Sequence, residues 1–410
     1  MSDEELRPPP IRPSQWRAGI EAPAEEDIVS CVSCGLCLPH CPTFRLTGRE
    51  TASPRGRIAA MRAVQEGQAT IDDTFRTMMD ECLACRACET ACPSGVPFGR
   101  MIEAARAQIE PTRPLASRGP RALGLKYVLP RPWAIYAAAA GMGIAQALRL
   151  DRLGPAGART TTPRISLPKL ARPLQRTMGS GPTAALLCGC VMDVAFRDVQ
   201  RDTMRAVAGS GYRAVRPRAG GCCGALAMHH GYPDAARRMA RDRIAEFEDA
   251  EVVVVNSAGC SNHMKGWGHL LNDDPEWGPR AAALASRVRD LLELDLATRS
   301  RDLGTIACHD ACHHVHGQDL GPDLRRVIRS VGGQPVEIPG GGRCCGAAGL
   351  YAVLQPELSA QLRRQKAAAI TTTGASTVAV ANPGCAIQIA AGLREISSPI
   401  RVVHPAQLIR

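Results

Sequence analysis

The chain has 410 residues, of which 45% are hydrophobic and 22% charged, and these proportions exclude disorder as its main state. The net charge of +11 is confined to residues 111–180, which carry twelve basic residues against the single acid Asp151. Because this excess lies in a Pro-rich segment rather than on a domain with interleaved aromatics, a nucleic-acid partner is disfavoured. The 18 cysteines stand in tight groups in a long chain, which favours metal ligation in a reducing cytoplasm over a disulfide scaffold.

Five segments follow one another along the chain. Residues 1–25 lack the apolar core of a secretory signal and are expected to form a flexible tail. Two cysteine runs occupy 26–110, and a basic, Pro-rich helical connector occupies 111–180. Two halves that resemble each other, 181–300 and 301–410, complete the chain.

The two cysteine runs in 26–110 have the same spacing, Cys-x2-Cys-x2-Cys-x3-Cys-Pro, which is the run that holds a cubane [4Fe–4S] site. Three thiolates spaced by two residues can surround one face of a cubane, whereas the fourth reaches the other cluster in two-cluster proteins. The predicted ligands are Cys31, Cys34, Cys37 and Cys92 for the first cluster, and Cys82, Cys85, Cys88 and Cys41 for the second. Zinc is disfavoured, because structural zinc sites typically use two separated pairs of ligands. We predict a mainly helical ferredoxin-type domain with two [4Fe–4S] clusters.

Within the basic connector, residues 132–148 form an uncharged run of 17 residues. This run is too short and too rich in Ala and Gly for a spanning helix, and it predicts a buried or interfacial one. Three roles remain open for the connector: docking to a partner subunit, contact with a membrane surface, or a solvated linker.

The two halves share one order of elements: strand, helix, strand, Cys-Cys-Gly, helix, strand, cysteine. The spacing agrees as well, since Cys190 to Cys222 and Cys312 to Cys344 are both 32 residues. Short β-branched runs such as VVVV and VAVA are typical of buried parallel strands. We therefore predict an internal duplication into two α/β domains, so the whole chain is an α+β multidomain protein.

Each half contains a single cysteine, an adjacent pair and another single cysteine, all near predicted strand ends. The candidates for a further metal or redox site are Cys190, Cys222, Cys223, Cys260, Cys312, Cys344, Cys345 and Cys385. Buried structural cysteines are the alternative. In the stretch from Cys308 to His316, either a separate zinc site forms, or Cys312 alone ligates and the histidines orient it or face a partner.

Several cofactor motifs are missing from the sequence. It has no G-x-G-x-x-G fingerprint and no G-x-x-x-x-G-K-[ST] loop, so we expect it to bind no FAD or NAD. No catalytic residue is predicted. Iron–sulfur runs without a site for an organic cofactor indicate an electron conduit.

Residues 26–410 resemble the iron–sulfur subunits of bacterial glycolate oxidase, also called glycolate dehydrogenase. The resemblance rests on CVSCGLCLPHCPTF, SPRGRI at 53–58, CLACRACETACPSGVPFGRMIE, and two CCG domains with CHDACHH and NPGC. It implies that glycolate is oxidised to glyoxylate at FAD in partner flavoprotein subunits. Electrons then pass through this chain's clusters toward a quinone or another membrane acceptor, with the chain in the cytoplasm or peripheral on the inner face of the membrane.

The wider group suggests alternatives: the iron–sulfur subunits of anaerobic glycerol-3-phosphate dehydrogenase and lactate complexes, and a disulfide reductase of the heterodisulfide-reductase type. That last family closes each CCG domain with C-x-x-C, whereas here Cys260 is followed at the third position by His263, and Cys385 by Gln388. Cys188 or Cys308 is a candidate for the missing thiolate.

Overall fold

The computed structural model describes residues 13–153, 162–217 and 220–409. Residues 1–12 of the predicted tail and 154–161 of the connector therefore lie outside the described residues. The chain divides into two compact units. The first ends at Leu115 and also contains His229–Gly231, and the second comprises Ala116–Met228 and Tyr232–Arg410.

The described residues of the first unit form helices joined by turns and irregular segments, with no strand. Its α-helices are Glu25–Val29, Pro42–Thr47, Pro54–Gln65, Asp73–Asp80, Ala87–Thr90 and Phe98–Ile109, with 3₁₀ turns at Leu38–His40, Glu50–Ala52 and Glu110–Thr112. Ser53 and Asp72 begin two of these helices, because their side chains accept hydrogen bonds from the first-turn amides of Gly56 and Phe75. The apolar faces meet in a core around Met61, which also contacts cysteines of both runs.

The end of the predicted flexible tail is packed against this core. The indole nitrogen of Trp16 donates to Gln65 at 2.8 Å, and its ring meets Phe75 edge to face. The backbone amide of Arg17 donates to the buried side chain of Gln108 at 2.7 Å. The composition of residues 1–25 did not predict this anchoring, because it depends on a single aromatic residue, Trp16, in a polar stretch.

The connector forms helices at the start of the second unit. Leu115–Ala122 continues into a π-helical turn at Leu123–Val128, followed by Pro132–Ala147, a 3₁₀ turn at Leu150–Leu153 and Leu167–Ala171. The helix Pro132–Ala147 buries only Ala139 and Gly143, so it lies at the surface. In the described parts of the chain, no helix combines the length and apolar character that a bilayer crossing requires.

The first repeat is built on a five-stranded sheet in the order β1-β3-β2-β4-β5. The strands are β1 (Thr177–Met178), β2 (Thr183–Leu186), β3 (Arg213–Val215), β4 (Val252–Val255) and β5 (Val288–Asp290). All neighbours are parallel except β1, which pairs antiparallel with β3 at the edge. Its helices are Cys190–Ala195, Arg197–Gly209, Ala225–His229, Pro233–Phe247, Ala258–Lys265, Trp267–Leu270 and Trp277–Ala285, with a 3₁₀ turn at Leu291–Glu293.

The second repeat is built on a parallel four-stranded sheet in the order β7-β6-β8-β9. Its strands are β6 (Thr305–His309), β7 (Gln334–Glu337), β8 (Thr377–Val380) and β9 (Arg401–Val403). Its helices are Cys312–Gln318, Gly321–Ser330, Tyr351–Leu354, Pro356–Thr371, Pro383–Glu395 and Pro405–Ile409.

The two sheets confirm the predicted duplication. The order β3-β2-β4-β5 of the first repeat corresponds to β7-β6-β8-β9 of the second. The register also corresponds, because Ala184 faces Ala214 and Val252 in the first sheet, as Ile306 faces Pro335 and Thr377 in the second. The predicted fold class, helical and α/β domains in one chain, is therefore confirmed.

Matching strand ends connect the two repeats to each other. Asp290 ends β5, and its carboxylate lies 2.8 Å from Nε2 of the buried His314 in the second repeat. His404 follows β9 at the corresponding place, and its Nε2 lies 3.0 Å from the carbonyl of Asn256 in the first repeat. These reciprocal contacts join the two repeats at the carboxyl ends of β5 and β9.

Candidate iron–sulfur and cysteine sites

Two cavities in the first unit bring the predicted cluster cysteines together. One is lined by Cys31, Cys34, Cys37 and Cys92. The other is lined by Cys41, Cys82, Cys85 and Cys88. Each fourth cysteine thus joins the three cysteines of the opposite run. The two cavities adjoin, because Pro54, Cys88 and Phe98 line both of them.

The same backbone conformation shapes both runs. Ser33 and Gly35 in the first run have φ of 58° and 86°, and the corresponding Ala84 and Arg86 in the second have 49° and 63°. This left-handed region is uncommon for residues with a side chain, so its repetition indicates a functional constraint. One result is that the amide of Ala84 donates to Sγ of Cys82 at 3.3 Å.

The chain continues differently after the fourth cysteine of each run, Cys41 and Cys92. Cys41 is the N-terminal cap residue of the helix Pro42–Thr47, as the position of the proline predicts. Cys92, in contrast, is followed by turns, and the next helix begins at Phe98. Cys92 therefore does not open a helix, because residues 93–97 form turns and irregular structure first.

The SPRGRI segment supports the second cavity. Gly56 has no room for a side chain, since a Cβ there would lie 2.1 Å from the carbonyl oxygen of Glu50. Arg57 is 1% exposed and donates to the carbonyl of Met78 at 2.6 Å and to Thr43 at 3.2 Å. Its Nη1 lies 4.0 Å from Sγ of Cys41. A fixed positive charge thus stands beside one of the predicted ligands.

The electrostatics of these thiols favours an iron–sulfur cluster. Burial raises the pKa of the Cys88 thiol well above its ordinary value, and the neighbouring Cys85 and Cys82 raise it further. Several thiolates this close together are stable only when a cation neutralises them, and the iron of a cluster supplies that charge. The donor set, the cavities and the backbone amides therefore fit two cubane clusters.

The cysteines of the repeats form two connected groups. In the first thiol array, defined as Cys190, Cys222, Cys223 and Cys260, side-chain hydrogen bonds join each residue to the next in that order. In the second thiol array, defined as Cys312, Cys344, Cys345 and Cys385, the links follow the same order. Both arrays lie at the carboxyl ends of parallel strands, where α/β folds build their sites.

The Cys-Cys-Gly turns are matched in detail. Gly224 and Gly346 have φ of 94° and 84°, and their amides donate to Sγ of Cys222 and Cys344, each at 3.4 Å. A Cβ on Gly346 would lie 2.8 Å from the carbonyl oxygen of Ser359, so the turn requires glycine at this point.

The comparisons with known proteins agree with this architecture. The family model of the 4Fe-4S dicluster domain matches residues 27–96, and that of the cysteine-rich domain matches 184–265 and 306–390. The chain is 33% identical to the probable glycolate oxidase iron-sulfur subunit of Bacillus subtilis, with 94% of each chain covered. It is 30% identical to the glycolate oxidase iron-sulfur subunit of Escherichia coli, with 93% of this chain and 95% of the relative covered.

The chain belongs to the family of glycolate oxidase iron–sulfur subunits. A second group of relatives is more distant: lactate utilization protein A of Bacillus velezensis is 28% identical over 55% of this chain and 98% of its own length. The predicted resemblance is thereby confirmed, as are the iron–sulfur cofactors and the role in an oxidoreductase. The assignment of individual cysteines to clusters remains a prediction.

Cys188 and Cys308, the candidates for the thiolate missing from C-x-x-C, are not members of the two thiol arrays of this iron–sulfur subunit. Burial raises the pKa of Cys188 to about 12, and the charged groups acting on its thiol are Arg216, Asp193 and Glu246. Burial likewise raises the pKa of Cys308 to about 11, beside Arg325. Cys308 packs in a different hydrophobic core from Cys345 and Cys385, because successive side chains of a strand point to opposite faces of the sheet.

Three residues escaped the reasoning from sequence. Arg57 lies inside SPRGRI, but its burial beside Cys41 is a tertiary contact. His309 lies in the ligand-rich stretch before Cys312, where only an orienting or partner-facing role or an unspecified zinc site was considered. Lys366 lies in the middle of the helix Pro356–Thr371 and had no sequence signal, yet it is 4% exposed and acts on the second thiol array.

Proposed function

We propose that this chain conducts electrons from a flavoprotein partner that oxidises glycolate to glyoxylate, toward a membrane quinone. The observation that carries the proposal is the pair of adjoining cavities lined by two sets of four thiols. One set is Cys31, Cys34, Cys37 and Cys92, and the other is Cys41, Cys82, Cys85 and Cys88. Shared lining residues favour electron transfer because they make the separation between the two centres small.

The clusters supply one-electron redox centres when bound, and the protein controls their surroundings. Ile58, Val96 and Phe98 line the cavities with apolar surface and limit the access of water. The left-handed backbone directs amides such as that of Ala84 at the sulfur atoms. Fixed hydrogen bonds and charge near the sulfurs are the means by which a protein sets the potential of such a cluster.

The substrate belongs to the partner subunits, so the proposal needs the assembled complex. We expect the complex to reduce a dye in the presence of glycolate, and this chain alone to show no glycolate oxidation. Lactate and glycerol 3-phosphate serve as competing substrates, because the distant relatives are named for lactate utilization. Faster turnover of lactate than of glycolate would replace the proposed substrate, and oxidation of glycolate by the isolated chain would overturn the conduit role.

The connector is the proposed contact surface for these partners. Its helices expose Leu123, Tyr127, Trp133 and Ile144, which is unusual for a segment that also carries the net charge of the chain. Apolar side chains beside cations suit an acidic, partly apolar face of a flavoprotein subunit, and electrostatic attraction would speed its association. An anionic leaflet has similar chemistry.

Binding measurements over a series of salt concentrations distinguish a flavoprotein subunit from a membrane surface as the partner of the connector. We expect replacement of Arg118, Arg121 and Lys126 by Gln to weaken subunit capture at low salt while liposome binding stays unchanged. Arg113 is left intact, because it forms ion pairs with Asp80 and Glu110. Replacement of the exposed residues Arg238, Arg329 and Arg364 in the repeats is the control for total charge. Lost liposome binding with intact assembly would instead assign the surface to the membrane, and no change in either would make the connector a linker.

A further inference from the structure

Three potential ligands converge beside β6 in the second repeat. A ring nitrogen of His309 and the Sγ atoms of Cys345 and Cys385 all lie within 4.8 Å of one another, and all three side chains are buried. Zinc binds thiolates at about 2.3 Å and imidazole at about 2.0 Å, so the ligand atoms around a tetrahedral ion are themselves about 3.5–4 Å apart. The three residues therefore need little movement to bind a single ion.

The imidazole of His309 gives independent support for a ligand. The residue is 1% exposed, and neither Nδ1 nor Nε2 has a hydrogen-bond partner among the described residues. A buried polar group without a partner costs roughly 1–3 kcal/mol, and native proteins rarely leave one unsatisfied. A metal ion bound to one nitrogen accounts for the position of this ring.

The charge near the second thiol array points to the same conclusion. Lys366 is 4% exposed, and its ammonium donates to the carbonyl of Gly341 at 3.3 Å. Burial lowers the pKa of Lys366, and the neighbouring thiols oppose that shift, namely those of Cys345, Cys312, Cys344 and Cys385. A buried cation requires a compensating negative charge. A zinc ion with three thiolates and one imidazole carries a net charge of −1, which balances the lysine.

The first repeat lacks this arrangement. Leu187 stands three residues before Cys190, as His309 stands three residues before Cys312, and it packs in an apolar core with Cys223. Among the described residues, the convergence of three ligand atoms occurs only in the second repeat. The first repeat therefore serves as a natural control for the second, because it has the same fold but carries Leu187 at the position of His309.

We propose that the second repeat holds one zinc ion, bound by His309, Cys345, Cys385 and one further thiol of the second thiol array. Zinc is favoured over a cubane cluster because the thiols of the array are in hydrogen-bonding contact, whereas the cluster cysteines of the first unit line two cavities. Mixed sulfur and nitrogen ligands in tetrahedral geometry are typical of zinc. The site is independent of the proposed electron path.

The test measures metal content in the full-length chain after anaerobic purification. We expect one zinc per chain in the wild type, with X-ray absorption at the zinc edge giving three sulfur ligands and one nitrogen. His309→Leu, which copies Leu187, should lose zinc to a chelator at least about 100-fold more readily. Cys345→Ser should also lose it, whereas the matched variant Cys223→Ser in the first repeat should keep it.

Iron content and far-UV circular dichroism serve as controls, because unchanged iron shows an intact dicluster domain and an unchanged spectrum shows that the repeats have folded. The absorption measurement on the wild type needs no variant and remains decisive if His309→Leu does not fold. Absence of zinc, a shell of four sulfurs without nitrogen, or full zinc retention in His309→Leu would overturn the proposal. Iron beyond the two [4Fe–4S] clusters that disappears in Cys345→Ser would also overturn it and place an iron–sulfur cluster there.

Discussion

The dicluster domain and the repeats use the same side chain in opposite ways. In the dicluster domain, cysteines only three residues apart are turned away from one another around open cavities by left-handed backbone. In the repeats, cysteines 32 or more residues apart are brought into direct contact at the ends of neighbouring strands. Distance along the chain therefore does not indicate the distance between thiols. The backbone between them decides whether a group of cysteines surrounds a cluster or encloses at most a single ion.

The largest expected difference between the cysteines of the dicluster domain and those of the repeats is the loss of a whole cluster. We expect Cys34→Ser to remove one [4Fe–4S] signal from the electron paramagnetic resonance spectrum and half of the iron, because a cubane needs all of its thiolates. Cys223→Ser makes the same substitution in the first thiol array and should leave the iron content unchanged. Iron analysis on anaerobic protein tests both. Full iron with both signals in Cys34→Ser would contradict the assigned ligands.

A smaller effect comes from the charge beside Cys41. We expect Arg57→Met to make the potential of the second cluster more negative by on the order of 100 mV. A unit charge near 4 Å contributes at most about 4 kcal/mol at an effective dielectric constant of about 20, which favours the reduced state. Redox titration followed by paramagnetic resonance measures the shift.

Two variants control this experiment. Arg57→Lys keeps the charge and should restore most of the potential. Arg55→Met removes an arginine that is partly exposed, pairs with Glu50 and lines the first cavity, and it should change the potential of the second cluster less. An unchanged potential in Arg57→Met with both clusters present would show that the charge is screened.

The smallest effect concerns protons in the repeats. Burial lowers the pKa of His404 to about 4, below the value of about 6.5 expected in the unfolded chain. Since the unfolded state then binds the extra proton, the free energy of unfolding falls as pH decreases from 6.5 toward 4. Between pH 6.5 and 5 this amounts to roughly 2 kcal/mol.

Denaturant unfolding of the full chain, followed by circular dichroism at several pH values, tests this loss. We expect His404→Gln to flatten the dependence relative to the wild type, whereas the exposed His269→Gln should leave it unchanged. The charged groups facing His404, namely Asp290 and His314, are present in all three proteins and cancel in the comparison. Equal slopes in the wild type and His404→Gln would show that His404 is already protonated in the folded state.

Much of this architecture could be predicted from the sequence, because cysteine spacing and strand order are local or repeated patterns. The paired runs indicated two clusters, and the equal spacing of Cys190–Cys222 and Cys312–Cys344 indicated the duplication, which the sheets confirm. Contacts between distant segments could not be predicted. His309 and Lys366 lie 57 positions apart and meet at the second array only because β6 and the helix Pro356–Thr371 pack in one domain.

The exchange of the fourth cysteine between the two runs has a consequence for assembly. Under the proposed ligand sets, one cluster closes the loop from Cys37 to Cys92 and the other closes the loop from Cys41 to Cys82. The loop from Cys41 to Cys82 lies within the loop from Cys37 to Cys92, so closing the inner loop shortens the stretch of chain that the first cluster has to close. Closing such loops restricts the unfolded chain, as a disulfide does. Damage to either cluster by oxygen should therefore loosen the binding of the other, and the domain should acquire and lose its iron in a cooperative manner.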